Sequence, residues 1–539
     1  MLELGRDCWT LINLVRAQAE KYGDREFLRF KDRAGLSFRD LDTLSSSLAA
    51  SFAVNGVKPG DRIVAVLENC PELFLSLIAA NKVGAVFVPL NTQLKGAFLE
   101  HQLKNSAPCL VIVDNQTSPL FETVDLSGLD FQTVIVVGRP REDDSRRFAN
   151  RELRSFADVA RNENVLSAIH DPLPSDVSTV IYTSGTTGPS KGVMMPHGHC
   201  YLLGYNLAKV MRLTEDDIYY VCMPLFHTNA LFMQMIGSLI AGSRAVLAPR
   251  FTATNWLADV RSYGATVTNA LGVMPEFIFR QPPTPDDRDH KLRAVMAVPI
   301  AAEWGHQFEE RFGLRLVQGF GLTEANIVAY TNLEDPLEPG CCGPILDDWY
   351  DVRVVQPSSD EELPVGQTGE IVVRPKYPSI FMSGYFRMPE RTVDAWRNLW
   401  FHTGDAGYFD ARGRLFFVDR IKDCIRRRGE NISSYEVEQV ISSHPAVEES
   451  AVVAAKSEMG GEDEVKACVV VRPGHGLAPE ELLDFCQERM PRYAVPRYVD
   501  FVDSLPKTPT GKVRKEELRR ARAGGGAWDR EAVGYVLRR

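Results

Sequence analysis

Apolar residues recur at Leu11, Leu14, Val15 and Ala19, the three- and four-residue spacing of one helix face, and Gly23 follows as a stop. Ser37 announces the next helix, with Asp40 three residues later and Leu41, Leu44, Leu48 and Phe52 behind it. A further helix is expected at about Leu73–Val83. Between such segments lie short apolar runs at Arg62–Leu67, Ala85–Val88 and Cys109–Val113, then at Asp216–Met223, Ala245–Leu247, Ala265–Val267 and Leu292–Val298. Continuous apolar runs suit strands buried on both faces, and their alternation with helices implies a parallel sheet with crossover connections. Arg139–Asp171 is charged and reads as loop with short helices, and Gln281–His290 as a surface loop. The longest apolar stretch, Ala230–Ala241, is broken by Gln234, Gly237 and Ser238. It is too short to span a bilayer and reads as a buried helix.

The rhythm changes near Asp351. Short strands at Val352–Val355, Glu370–Val373 and Leu415–Val418 sit between Gly and Pro turns, which suggests a small β-rich subdomain or barrel. Beyond Arg420 comes a compact α+β segment, with helices at Ser434–Ser443 and Pro479–Arg489 and strands at Ala451–Ala455 and Ala467–Arg472. The main boundary is expected near Asp419–Asp423. A chain of 539 residues is too long for one core and suggests two to four domains. A formal net charge of −10 argues against a general nucleic-acid binder. The ten cysteines show no Cys-x-x-Cys spacing, so neither a zinc site nor a disulfide framework is indicated and a reducing, cytoplasmic setting fits. Met1–Trp9 is mixed and charged, unlike a secretory signal.

One stretch concentrates candidate chemistry. Thr183-Ser184-Gly185-Thr186-Thr187-Gly188-Pro189-Ser190-Lys191 lies between strand-like Thr179–Tyr182 and Val193–Met195. Its glycines let backbone approach a ligand, its hydroxyls and N–H groups can wrap a polyphosphate, and Lys191 adds a point charge. A Walker A loop needs Ser or Thr after the lysine, whereas Gly192 follows Lys191. Gly188–Gly192 is a formal Gly-x-Ser-x-Gly, but a nucleophile elbow leads into a helix and this loop leads into a strand. A plain Gly/Ser/Thr hairpin turn is the remaining alternative.

Other stretches carry polar groups among glycines. Gly319-Phe320-Gly321-Leu322-Thr323-Glu324 lets a flat ring lie on backbone and offers Glu324 to a divalent metal. Thr403-Gly404-Asp405 presents a carboxylate able to take both hydroxyls of a ribose. Pro506–Lys512 presents one lysine near the C-terminus. Taken singly, each is equally a turn, a cap or a solvated charge.

In this order, the motifs resemble the adenylate-forming superfamily of acyl-CoA synthetases, carrier-loading adenylation domains and luciferases, over almost the whole chain. Tyr263–Thr268 and Phe417–Arg420 look most like the crotonobetaine/carnitine–CoA ligase branch. The resemblance implies an α/β fold: residues 1–420 as a large domain of two αβ layers plus a small β-barrel (about 345–420), then a mobile α+β lid at 421–539 hinged near Lys422. It implies that ATP and Mg²⁺ activate a carboxylic acid to an acyl-adenylate plus pyrophosphate, and that coenzyme A then displaces AMP. Thr183, Ser184, Gly185, Thr186, Thr187, Gly188 and Lys191 would hold phosphates, with Mg²⁺ near Glu324. Gly319, Phe320, Gly321 and Thr323 would frame adenine, with Phe320, often tyrosine in the family, stacked on it. Asp405 would take the ribose with Arg420 in support, and Lys512 would enter from the lid during adenylation. Gly429, Glu430 and Asn431 would line the CoA tunnel, and Arg426-Arg427-Arg428 would meet CoA phosphates or simply be solvated. His227 resembles the gate between tunnel and acyl site, and Asn229, Met233, Val298, Ile327 and Val328 are acyl-pocket candidates. The alternatives are an enzyme confined to thioester formation from a supplied adenylate, or one that loads a carrier-protein thiol. A homodimer is left open, and no nucleic acid or membrane span is expected.

Overall fold

The computed structural model describes the chain apart from residues 1, 95, 162–168, 184–189, 273, 299, 301–303, 422–424, 428–429, 433, 457–462, 491, 493, 509–510, 521–525 and 538–539, and the side chains of 426, 430, 431, 436, 456 and 520. Among the described residues, the large N-terminal domain is built on two extended sheets. One has eight strands, ordered Gly384–Tyr385, Lys191–Pro196, Val177–Thr183, Val86–Pro89, Arg62–Val66, Leu110–Asp114, Thr133–Val137 and Glu152–Ser155. The other has seven and runs from Arg315–Val317 through Ala294–Val298, Val267–Leu271, Ile218–Val221, Arg244–Leu247 and Glu26–Phe30 to Leu36–Ser37. Most neighbouring pairs are parallel, as the unbroken apolar strands require.

Helices fill the space between the sheets. Leu11–Tyr22 starts on a Thr10 cap and stops at Gly23, whose φ of +52° suits glycine. Phe38–Val54 starts on the expected capping box, Ser37 and Asp40 bonding each other's backbone. Pro71–Lys82 and His197–Val210 are buried almost all round, and one apolar cluster runs from the first sheet through them to the second. Several strands escape the sequence reading, Glu26–Phe30 among them. Thr133–Val137 is regular, and Glu152–Ser155 is an edge strand inside the segment expected to be loop and helix. Its charged, half-exposed residues hide the usual apolar signal.

Ala230–Ala241 is buried as expected but is not a plain α-helix. Asn229–Ile236 is π-helical, and only Gly237–Ala241 closes as α. The wider turn has no signature in apolar spacing, and such turns gather at functional sites. The β-rich segment forms six antiparallel strands, including Cys341–Pro344, Tyr350–Val355, Gly369–Pro375, Trp400–Phe409 and Arg414–Arg420. The smaller C-terminal domain places Val447–Lys456, Asp463–Val471, Tyr498–Phe501 and Trp528–Asp529 in one sheet. The helices Ser434–Ser442 and Pro479–Gln487 pack on it over a separate core.

Candidate active site

The strands Val177–Thr183 and Lys191–Pro196 are antiparallel neighbours, with Thr183 opposite Lys191. The two strands are therefore the arms of a hairpin at the rim of the eight-stranded sheet. That topology excludes both the strand-to-helix P-loop and the hydrolase elbow. Ser184, Gly185, Thr186, Thr187 and Gly188 lie outside the described residues. The base of the hairpin is pinned by the helix Ala97–Ser106: Gln102 Nε2 donates to Ser190 Oγ (2.8 Å) and Tyr182 Oη donates to Asn105 Oδ1 (2.5 Å).

Gly384–Tyr385 adds to the same edge, with Tyr385 opposite Val193. From there Tyr385 Oη donates to Glu324 Oε1 (3.0 Å), and the Lys191 ammonium lies 4.1 Å from the Tyr385 ring centroid. One tyrosine thus ties the hairpin's lysine to the acid of the second motif. Burial, with the Glu324 carboxylate second, raises the Tyr385 pKa, so the phenol remains a donor. Tyr385 was missed because nothing in the spacing of Ser383-Gly384-Tyr385 distinguishes it from a turn tyrosine. Tyr385→Phe should leave the fold intact and cut the adenylate formation that the resemblance implies about tenfold, the scale of one hydrogen bond to a charged group. Titrating Mg²⁺ against rate checks this, and an unchanged half-saturating concentration would argue against an orienting role.

Gly319–Leu322 and Asn326–Tyr330 form the hairpin that carries Thr323 and Glu324 at its turn. A Cβ on Gly321 would stand 2.5 Å from the Asn326 carbonyl, so this glycine serves close strand approach. Behind the turn, fully buried His199 contacts the Thr323 carbonyl through Nε2 and the Ile380 carbonyl through Nδ1, both at 2.9 Å. Met382 N–H holds the Glu324 carbonyl (3.0 Å), and the Thr323 and Thr228 hydroxyls meet at 3.2 Å. Phe320 is 6% exposed and stacks on Phe417 at 6.2 Å, so most of its ring is already covered by protein.

The third motif is placed by strand register. Trp400–Phe409 pairs with Arg414–Arg420 so that Asp405 lies opposite Arg420, with Arg420 Nε 2.7 Å from Asp405 Oδ1. Gly404, at φ +71°, lets Asp405 turn inward, and Thr403 Oγ1 accepts from its N–H (3.0 Å). Asp405 is 3% exposed. Burial raises its pKa to about 7, against the Arg420 charge that lowers it and the Glu324 and Asp419 charges that raise it further.

The C-terminal domain closes over this group. Its helix Ser434–Ser442 is gripped at both ends: Ser434 Oγ donates to Asp419 Oδ2 (2.6 Å), and Arg280 reaches the Ser442 carbonyl. Each charge complements the helix dipole at its end. Lys512 stands on a tight turn, with its N–H on Thr508 Oγ1 (3.1 Å) and Gly511 at φ +79°. It is exposed to solvent at the domain junction. Desolvation lowers its pKa, as does Arg420, while Asp405 and Glu324 oppose that shift. His227 sits where the strand Ile218–Val221 turns into the π-helix, a turn fixed by Asn69 Oδ1 accepting from Leu225 N–H (2.8 Å). Burial first, and the Lys512 charge second, lower its pKa to about 4, so it is neutral near pH 7.

Asn229 and Met233 lie on the π-helix, and half-buried Val298 ends its strand opposite Leu271. Ile327 and Val328 point to opposite faces of one strand, as successive strand residues must. Asn326, at the start of this strand, bonds His199 and Asn206 of the helix His197–Val210, and Ile327 and Val328 are both buried in the main core. Lys422 and Gly429 lie outside the described residues, as do the side chains of Glu430 and Asn431. The backbone of Glu430–Ile432 pairs with Ile425–Arg427. Arg427 is not part of a solvated basic run: it is 2% exposed, with Nε 2.8 Å from Glu464 Oε2. No described helix is long and apolar enough to cross a membrane.

Comparison with known proteins agrees with this geometry. Residues 15–386 match the model of the AMP-binding enzyme family and residues 436–512 that of its C-terminal domain, and the chain belongs to this family. It is 31% identical over 521 residues to a crotonobetaine/carnitine–CoA ligase of Salmonella paratyphi A, covering 93% of this chain and 97% of that one. Among solved structures, it resembles ATP-bound MatB from Rhodopseudomonas palustris at 26% identity (TM-score 0.79, 95% and 98% of the two chains). It also resembles o-succinylbenzoate CoA synthetase of Bacillus subtilis with its acyl-adenylate intermediate, at 25% identity (TM-score 0.79, 96% and 98%). The protein is an acyl-CoA ligase of the adenylate-forming class, an AMP-forming acid–thiol ligase.

Proposed function

We propose that both half-reactions run in this chain, with ATP, Mg²⁺ and coenzyme A, and that residues 1–420 and 421–539 form the two domains, hinged at Lys422. The observation that carries this reading is that the Lys512 charge, from the C-terminal domain docked through Ser434–Asp419 and Arg280–Ser442, acts on Asp405 of the large one and feels Arg420 and Glu324. In the first step a carboxylate oxygen attacks the α-phosphorus and the bond to pyrophosphate breaks. Two anions approach each other, so positioned cations dominate the barrier. Lys512 supplies one such charge, Lys191 and the hairpin hold the departing phosphates, and Asp405 with Arg420 fixes the ribose.

Glu324 suits Mg²⁺, because its carboxylate is oriented by Tyr385 and this ion takes few protein ligands. The ion would offset phosphate charge there. In the second step the CoA sulfur attacks the acyl carbonyl, the carbon–oxygen bond to AMP breaks, and the thiol proton leaves to water. Neutral His227 would gate the acyl site from the tunnel without adding charge to the adenylate. Isotopic pyrophosphate exchange with a panel of carboxylic acids, followed by CoA thioester detection, tests the reading. Exchange with no acid would remove the first half-reaction. Exchange followed by thioester on a carrier protein but not on CoA would remove the second.

A further inference from the structure

Behind Asn229 the structure holds a chain of uncharged hydrogen-bonding side chains that the reaction steps do not use. Tyr219 Oη donates to Asn269 Oδ1 (2.5 Å), Asn269 Nδ2 donates to Asn229 Oδ1 (2.9 Å), and Gln234 Nε2 donates to the same oxygen (2.7 Å). Tyr219, Asn269 and Gln234 are fully buried, and Asn229 is half-buried at the cleft. The strand pairing sets the chain under the acyl candidates: Asn269 lies opposite Met296, and Leu271, on the same face, lies opposite Val298. Next to Asn229, Thr228 touches Thr323, the neighbour of Glu324.

The bookkeeping is incomplete at one place. Asn229 Oδ1 has two donors and is saturated, while among the described residues Asn229 Nδ2 has only the Met233 thioether, a weak acceptor, at 3.3 Å. Gln234 Oε1 is buried and has no partner among the described residues. The two amides share one hydrogen bond, which leaves a donor position of Asn229 and the buried Gln234 acceptor without a strong partner among the described residues. A buried amide oxygen left unpaired is costly, and native interiors rarely tolerate it without a ligand or water. The charges acting on Tyr219, Arg293 and Asp217, are paired with each other at 3.0 Å. A group that completes the network must both accept and donate.

Resting on the adenylate-forming reading above, we propose that the acid this enzyme activates carries a hydroxyl on its tail. That hydroxyl accepts from Asn229 Nδ2 and donates to Gln234 Oε1, and these two residues with Asn269 set acyl specificity. A tail ending in a quaternary ammonium offers no donor, and a tail ending in a second carboxylate brings an anion to an amide acceptor. An alkyl tail leaves both amide edges unpaired, and sites built to bond a hydroxyl reject analogues that lack it.

The test is binding of non-reacting acyl-sulfamoyladenosines in matched pairs, 4-hydroxybenzoyl against 4-methylbenzoyl and 5-hydroxypentanoyl against hexanoyl, measured by calorimetry on the full chain. The hydroxyl member of at least one pair should bind about 10- to 100-fold more tightly, the range set by one buried hydrogen-bonding pair. Asn229→Ala, and independently Asn269→Ala, should bring that pair together. The wild-type ratio decides the question even where a variant folds poorly. Equal affinities, or tighter binding of the alkyl members, would overturn the hydroxyl proposal while leaving the adenylate reading standing, since both analogues would still bind. If no analogue binds, the adenylate reading fails, and this proposal with it.

Discussion

Lys512→Ala is expected to slow adenylate formation about 100- to 1,000-fold, the scale on which removing one preorganised charge acts. Thioester formation from synthetic acyl-adenylate and CoA should be largely spared. The asymmetry follows from where the charge is needed. In the first step an anionic carboxylate meets an anionic phosphate, and the proposed lysine lies within electrostatic reach of Arg420, Asp405 and Glu324. In the second step a neutral thioester replaces a mixed anhydride, and that conflict has passed. A charge delivered by domain closure stabilises the transition state more than the free substrate. The pH profile carries the same signature. Desolvation, then the Arg420 guanidinium, lower the Lys512 pKa, so the cation is lost at a lower pH than an ordinary lysine's. Adenylation should decline on the alkaline side earlier than the usual lysine range, and Lys512→Arg should move that limb upward while retaining part of the rate. Single-turnover measurement of each half-reaction checks this, and equal losses in both would refute the assignment.

The fold was legible where the side-chain period is strong. The capping box at Ser37 and Asp40 and the buried parallel strands all follow from local chemistry and apolar spacing. What escaped was fixed by tertiary context. The edge strand Glu152–Ser155 is polar because one side of it faces water. The π-turns of Asn229–Ile236 differ from α-turns by one residue of hydrogen-bond reach, which composition does not encode. At the site, Asp405 and Arg420 could be named separately, but their pairing depends on a strand register set by the Asp410–Gly413 turn. His199, Tyr385 and Asn269 act through partners 124, 61 and 40 residues away, and no short window contains both ends. Arg427 misled for a related reason: in a basic run every arginine looks solvated until a buried Glu464 is found beside one of them.

Asp405 gives the second large effect, and it is one of pH. Burial holds its pKa at about 7, far above the ordinary aspartate value near 3.9. On the proposed reading the ribose hydroxyls donate to Asp405, so nucleoside binding would require the anion and expel the proton. Adenosine, which has no titrating phosphate, should therefore bind about tenfold more tightly at pH 8 than at pH 6, releasing close to one proton at pH 6 and almost none at pH 8. Calorimetry in two buffers of different ionisation enthalpy reads that proton directly. Asp405→Asn should remove the pH dependence and weaken ATP use in kcat/KM about 100-fold, the scale of lost charge-assisted hydrogen bonds. The linkage also has a sign in the free enzyme. A carboxyl whose folded pKa is raised adds stability that is fully present below the unfolded value and is lost as pH rises through about 7. The free enzyme should thus lose this contribution between about pH 4 and pH 7, and adenosine should restore more of the melting temperature at pH 8 than at pH 6. A pH-independent adenosine affinity in the wild type would show that Arg420, 2.7 Å away, already holds Asp405 ionised before the nucleotide arrives.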